Sequence, residues 1–180
     1  MSGRLIAVVG PSGVGKDSVI DALCLAHPAL FRVKRCITRP TEAGGEAFHG
    51  LELPEFQRRK AAGDFVLSWG AHDLHYGIPN EVTEVLGSGR DAIVNLSRGV
   101  LLEAREKFDT LHVIWLTARP EVLAARLVGR GRETAQDIAR RLAREGASMP
   151  ADLKITQVSN DGALADTVAE IDALYFPVRV

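Results

Sequence analysis

Apolar residues fall along this chain in two alternating rhythms. Short, nearly unbroken apolar runs stand at residues 5–9 (LIAVV), 92–94, 111–116 (LHVIWL) and 153–158, with a further candidate at 32–37. Runs of that length without a polar face suit strands buried on both sides of a parallel sheet. Between them lie stretches with helical spacing and helix-start signals. Pro54 precedes EFQRRKAAG, Ser97 precedes RGVLLEAREKF, and Pro120 precedes EVLAARLVG. Thr134 opens TAQDIARRLAREG, with Asp137 three residues on as a variant capping box and Gly146 as a stop. Leu164, Val168, Ile171 and Leu174 recur at helical spacing within 162–176, which predicts a final amphipathic helix. Strand, helix, strand, helix in this order predicts an α/β fold, a parallel sheet with helices on both faces. The polar, glycine-rich stretch 39–53 is predicted to be irregular.

Ligands of such sheets gather at the carboxyl ends of the strands, and the first apolar run leads straight into GPSGVGKDS, residues 10–18. Gly10, Gly15 and Lys16 satisfy the phosphate-loop pattern G-x-x-x-x-G-K-[ST], but the last position is Asp17. Gly10, Pro11, Ser12, Gly13, Val14, Gly15 and Lys16 are therefore expected to wrap a nucleotide triphosphate with backbone amides. The next helix contributes its amino-terminal dipole, and Lys16 neutralises the outer phosphates. Magnesium takes hard oxygen ligands. The usual acid at the end of a neighbouring strand is replaced by Asn95 in DAIVNLSR. Asp17 is accordingly expected to supply the carboxylate for Mg²⁺, and Ser18 to donate to the α-phosphate.

A second cationic feature lies at 123–142, where Arg126, Arg130, Arg132, Arg140 and Arg141 crowd around Gly129 and Gly131. Guanidinium forks on a glycine hinge are suited to closing over a transferring phosphoryl group, which predicts an arginine-rich lid.

Composition narrows the classes. A chain of 180 residues with 46% hydrophobic content supports one buried core and is too short for two ordinary domains. Its 22 Lys plus Arg balance 23 Asp plus Glu, so no global field favours nucleic acid or an anionic membrane. Cys24 and Cys36 are too few for a disulfide framework or zinc site and are expected as thiols in a reducing cytosol. The apolar run of the opening MSGRLIAVVG is too short for a signal peptide, and no run approaches the roughly 20 residues that span a bilayer. A cytoplasmic location is expected. His72 and His75 have no carboxylate or cysteine partners that would make a metal site, and Trp69 and Trp115 are expected in the core.

The segments VVGPSGVGKDSVI, CITRP followed by Glu46, GDFVLSWGAHDLHYGIP, GRGRETAQDIARRL and VSNDG resemble those of guanylate kinases in order and spacing, over nearly the whole chain. The resemblance implies a single P-loop kinase domain over 1–180 with a five-stranded parallel core. It also implies an acceptor-binding insertion at about 35–80 and a lid at about 127–140. It places Lys16, Arg130 and Arg141 around the transferring phosphoryl group, Arg39 on an acceptor phosphate, and Asn160 near the adenine.

The departures alter the expected acceptor. Guanylate kinases carry a second arginine where this chain has Glu42, and a second phosphate-binding tyrosine where it has Phe48 or His49; Tyr76 preserves the other tyrosine. Their guanine-reading glutamate is Ser68 here, and the serine after Tyr-Gly is Ile78. A serine cannot replace the two-point contact of a carboxylate with guanine. With GPSGVGKDS, ITRP, LSWGAHDLHYG, VNLSR and GRGRE, the chain instead resembles the ribose 1,5-bisphosphate phosphokinases of phosphonate degradation. That implies transfer of the γ-phosphoryl group of ATP to a sugar bisphosphate, with 5-phosphoribosyl 1-diphosphate and ADP as products. For this acceptor Arg39, assisted by Tyr76, is assigned to one phosphate and Arg98 to the other, while Ser68 offers a hydroxyl. Two alternatives share the motifs: a guanylate kinase with altered base contacts, and a non-catalytic guanylate-kinase-like binding module.

Overall fold

The structure is a computed structural model that describes residues 2–40, 46–129, 149–150 and 153–177. Its layering follows from β1 (Leu5–Val9), in which every residue is buried. Successive side chains of a strand point to opposite faces. Leu5, Ala7 and Val9 therefore enter one core, and Ile6 and Val8 another. The first core is closed by α3 (Glu81–Gly87) and α4 (Leu101–Lys107), through Val82, Leu86, Leu101 and Ala104. The second is closed by α1 (Lys16–Ala26), α5 (Pro120–Gly129) and α6 (Leu164–Tyr175), through Val19, Ile20, Leu23, Leu123 and Ile171. Burying one such side chain contributes about 1.5–3 kcal/mol, so a strand that feeds two cores has no place for a polar residue.

On either side of β1 run β7 (Ala92–Asn95) and β8 (Leu111–Thr117), with β2 (Phe31–Arg32) and β9 (Ile155–Ser159) outside them. The order is β2-β7-β1-β8-β9 and every pairing is parallel, which is the five-stranded parallel sheet expected. At the amino-terminal edge of this sheet, Arg4 grips Asp91 through Nε and Nη2 at 2.9 and 2.6 Å and donates to the Tyr175 carbonyl at 3.0 Å. That clasp joins β1, β7 and α6 at the end remote from the glycine loop.

The candidate strand at 32–37 proves to be two elements in two sheets. Phe31 and Arg32 extend the large sheet, whereas β3 (Cys36–Ile37) joins a smaller one with β4 (His49–Gly50), β5 (Phe65–Ala71) and β6 (Leu74–Pro79), in the order β4-β3-β6-β5. The hairpin between β5 and β6 turns on His72 and Asp73, both at positive φ (52° and 60°), as a two-residue primed turn requires. Helix α2 (Leu53–Ala61) packs on this smaller sheet, with the Phe56 ring 4.9 Å from Phe65 and 5.6 Å from His75. Leu67 and Ile78 sink fully into the first core, and Lys107 Nζ donates to the Val66 carbonyl at 2.6 Å. The hairpin is therefore fastened to the sheet that carries the loop. Trp69 and Trp115 pack against that same core, as expected. Both thiols are free, Cys36 buried and Cys24 partly so.

Helix α6 forms where the periodicity predicts, but its buried face is rotated. Thr167, Ile171 and Tyr175 face inward, while Leu164 and Leu174 are exposed. The cause lies in the glycine loop. The predicted helix opened by Thr134 lies outside the described residues.

Candidate active site

The loop leaves the carboxyl end of β1, the central strand of the large sheet, and runs into α1. Its geometry depends on glycine at both ends. Gly10 has φ 151°, and a Cβ there would stand 2.4 Å from the Leu116 carbonyl oxygen of β8. Gly15 has φ 95°, and a Cβ there would meet Asn160 Nδ2 at 2.7 Å. Such values are costly for any residue with a side chain.

Asn160 is the support of this loop. It is 4% exposed, yet its polar atoms are occupied: Nδ2 donates to the Val14 carbonyl at 2.7 Å, Oδ1 accepts from Thr167 Oγ1 at 2.8 Å, and its backbone N–H donates to Thr117 O at 2.8 Å. Thr167 faces inward on α6 because it supplies that hydrogen bond. Next door, Asp161 accepts from the Arg119 backbone N–H at 2.6 Å and from Ser159 Oγ at 2.9 Å. These two hydrogen bonds, the backbone one foremost, hold the Asp161 carboxyl below its usual range. Arg126 Nη1 also donates to Val14 O, at 3.3 Å. Gly13, Gly15, Ser18, Arg126, Asn160 and Leu164 line a cleft of about 290 Å³.

Lys16, the first residue of α1, turns its ammonium back over the loop, 2.9 Å from Gly10 O and 3.0 Å from Pro11 O. Asp17 follows in the first turn. Strand alternation turns Asn95 of β7 to the α1 face, where its Nδ2 lies 3.2 and 3.4 Å from the two carboxylate oxygens of Asp17. The acid that a neighbouring strand commonly supplies has moved onto the loop, and the strand supplies an amide. Among the described residues no group of three or more His, Cys, Asp or Glu side chains gathers to enclose a metal. Just past Asn95, Ser97 caps a 3₁₀ turn (Arg98–Val100) by accepting from Gly99 N–H at 3.3 Å, which sets Arg98 near the same sheet edge.

Of the other expected acceptor residues, Ser68 and Tyr76 lie on the smaller sheet and Arg39 lies just past its strand β3. The Arg39 guanidinium covers the Phe48 ring at 4.3 Å. Tyr76 stacks on Trp69, its register partner, with centroids 5.3 Å apart and planes within 7°. Ser68 pairs with Gly77, one position along, so its side chain belongs to the opposite face from Tyr76. The two expected substrate contacts are thus not brought to one face. Sequence reasoning also missed Arg35, which is buried, carries a bidentate pair to Glu46, and lies 5.2 Å from the centroid of the Tyr76 ring. A lone arginine before a two-residue strand gives no periodic signal. Arg130 and Arg141, expected in the lid, lie outside the described residues.

A parallel sheet in this order, with a glycine loop and lysine at its switch point and a second sheet facing them, defines a P-loop kinase fold. The sequence matches the guanylate kinase family over residues 2–174. It is 50% identical over 173 residues to the ribose 1,5-bisphosphate phosphokinase PhnN of Ruegeria sp. (strain TM1040), covering 96% of this chain and 91% of the relative. Against the protein of that name from Pseudomonas fluorescens (strain SBW25) the identity is 45%, over 95% of this chain and 94% of the relative. Among solved structures, a guanylate kinase from Anaplasma phagocytophilum shares the fold with a TM-score of 0.66 at 13% identity, covering 99% of this chain and 98% of that one. The chain belongs to the guanylate kinase family, in the company of the ribose 1,5-bisphosphate phosphokinases.

The support of the loop by α6 is open to test. Thr167→Val leaves the Asn160 carbonyl without its donor at a buried site, so a stability loss of about 1–3 kcal/mol in urea denaturation is expected. The KM for ATP should rise with it, because Asn160 then no longer fixes Val14. Wild-type values of both would show that the loop does not depend on this contact.

Proposed function

We propose that this chain transfers the γ-phosphoryl group of ATP to the 1-phosphate of ribose 1,5-bisphosphate, yielding 5-phosphoribosyl 1-diphosphate and ADP. The carrying observation is the acceptor side of the site. The position of the guanine-reading glutamate is Ser68, and the position of the guanylate kinase serine is Ile78, which is 0% exposed and committed to the core. The intact loop and the 50% identity to a named ribose 1,5-bisphosphate phosphokinase support the same reading.

The chemistry suits these residues. A phosphate acceptor has its second pKa at about 6 and is largely dianionic at neutral pH, so it attacks without a general base. Rate enhancement then rests on alignment and charge neutralisation. In this reading the loop amides and Lys16 hold the β- and γ-phosphates, with the ammonium exchanging the Gly10 and Pro11 carbonyls for phosphate oxygens. The cleft beside Ser18, Arg126 and Asn160 takes the nucleoside. Arg39, Tyr76 and Arg98 hold the sugar bisphosphate, with Ser68 contributing from the neighbouring face, and Arg130 and Arg141 close over the transfer. Residues 1–180 act as one kinase domain, with an acceptor insertion at 35–80 and a lid at 127–140.

Asp17 with Asn95 fits a magnesium ion, which keeps several waters and is commonly held by one or two protein oxygens together with substrate phosphates. A magnesium ion held there would supply charge neutralisation at the donor phosphates. Asp17 offers the carboxylate, and Asn95 holds it in place or turns its own carbonyl oxygen inward. A cytosolic setting accords with an ATP-dependent reaction, and no helix among the described residues is long and apolar enough to cross a membrane.

Incubation with ATP, Mg²⁺ and ribose 1,5-bisphosphate, followed by phosphorus NMR, should show a new diphosphate at the anomeric position; efficient turnover of GMP alone would overturn the proposal. Asp17→Asn should raise the Mg²⁺ concentration needed for half-maximal turnover by about tenfold, equivalent to about 1.4 kcal/mol. An unchanged magnesium requirement would remove Asp17 from the metal.

A further inference from the structure

Arg35 and Glu46 form an ion pair whose side chains are 10% and 11% exposed. Arg35 Nε donates to Glu46 Oε2 at 3.0 Å, and Nη2 donates to Oε1. Removing two charges from water is costly, and an apolar pair of similar volume is often as stable or more so. Stability is therefore a poor account of this pair, and its geometry offers a better one.

A fork-to-fork contact fixes the plane of the guanidinium as well as its position. The Arg35 Cζ lies 5.2 Å from the Tyr76 ring centroid and Trp69 stacks on Tyr76 at 5.3 Å; because β6 lies between β3 and β5, the two approach the ring from its opposite neighbours in the sheet. Tyr76 is consequently sandwiched, with a cation on one face and an indole on the other. Neither ring face is open for a nucleobase to stack on, and the ring edge, which bears the hydroxyl, is what remains. Because Glu46 neutralises Arg35, the arginine adds little net charge for an anionic acceptor.

We infer that Arg35 and Glu46 are positioning residues of the acceptor site: they set the plane of Tyr76 so that its edge, not its face, meets the substrate. The inference rests on the sugar bisphosphate reading for its substrate, but not for its geometry. The pair acts on acceptor binding through the ring it holds.

The test is the double variant Arg35→Met/Glu46→Leu, which removes both charges together. It should melt no lower than the wild type and keep its KM for ATP and its kcat, while its KM for ribose 1,5-bisphosphate rises about tenfold, the pattern of lost uniform binding. A folded double variant with the wild-type acceptor KM would overturn the inference, since a merely structural pair predicts that result. Should the double variant not fold, Glu46→Gln keeps the shape and one acceptor oxygen. A rise of about threefold or more in acceptor KM supports the inference there, and an unchanged KM overturns it. If the wild type does not use ribose 1,5-bisphosphate at all, the proposed function fails separately. The geometry is then read from the near-ultraviolet circular dichroism of the Trp69–Tyr76 stack, with Trp69→Phe marking its contribution. Loss of that band in the variants supports the inference, and its persistence contradicts it.

Discussion

One buried amide organises the nucleotide side of this molecule. Asn160 takes a hydrogen bond from α6, gives one to the phosphate loop, and is anchored by its own backbone to β8. A loop rich in glycine has many conformations, and holding it in one costs conformational entropy. The Asn160 contact fixes Val14 while Gly15 leaves room for the amide. Three elements distant in sequence therefore determine whether the loop amides converge, and α6 serves the site both through Thr167 and by lining the cleft with Leu164.

The same sheet edge accommodates an exchange of roles. With an acid on the loop and an amide on the strand, Asp17 and Asn95 invert the usual distribution of a hydroxyl on the loop and a carboxylate on the strand. The total negative charge is conserved while its location shifts toward Lys16. At the smaller sheet two arginines lie over aromatic rings: Arg39 over Phe48, and Arg35, held by Glu46, over Tyr76. A guanidinium stacked on a ring offers its edge to hydrogen bonds; the Arg35 edge is taken by Glu46, which leaves Arg39 the one of the two suited to an oxyanion.

Much of this was legible in the chain. The central strands are apolar on both faces, so β1, β7, β8 and β9 announce themselves, and the glycine loop is read from spacing alone. The smaller sheet was harder. Its strands β3 and β4 have two residues each, below any periodic signal, and β5 is broken by Ser68 and Gly70. The face of α6 was misjudged because Thr167, a polar residue, is buried to serve Asn160, a requirement set by tertiary structure. Arg35 was invisible for the same reason, since its partner Glu46 and its ring Tyr76 are joined only by the fold. Family resemblance located Arg39 and Tyr76, but alternation along β5 and β6 was needed to separate Ser68 from them.

The central claim, that this site phosphorylates a sugar bisphosphate and not a nucleotide acceptor, is tested most directly by competition. With ATP limiting and ribose 1,5-bisphosphate and GMP present together at equal concentration, the account predicts that phosphoryl transfer goes to the sugar and that GDP stays at background. Preferential formation of GDP would contradict it.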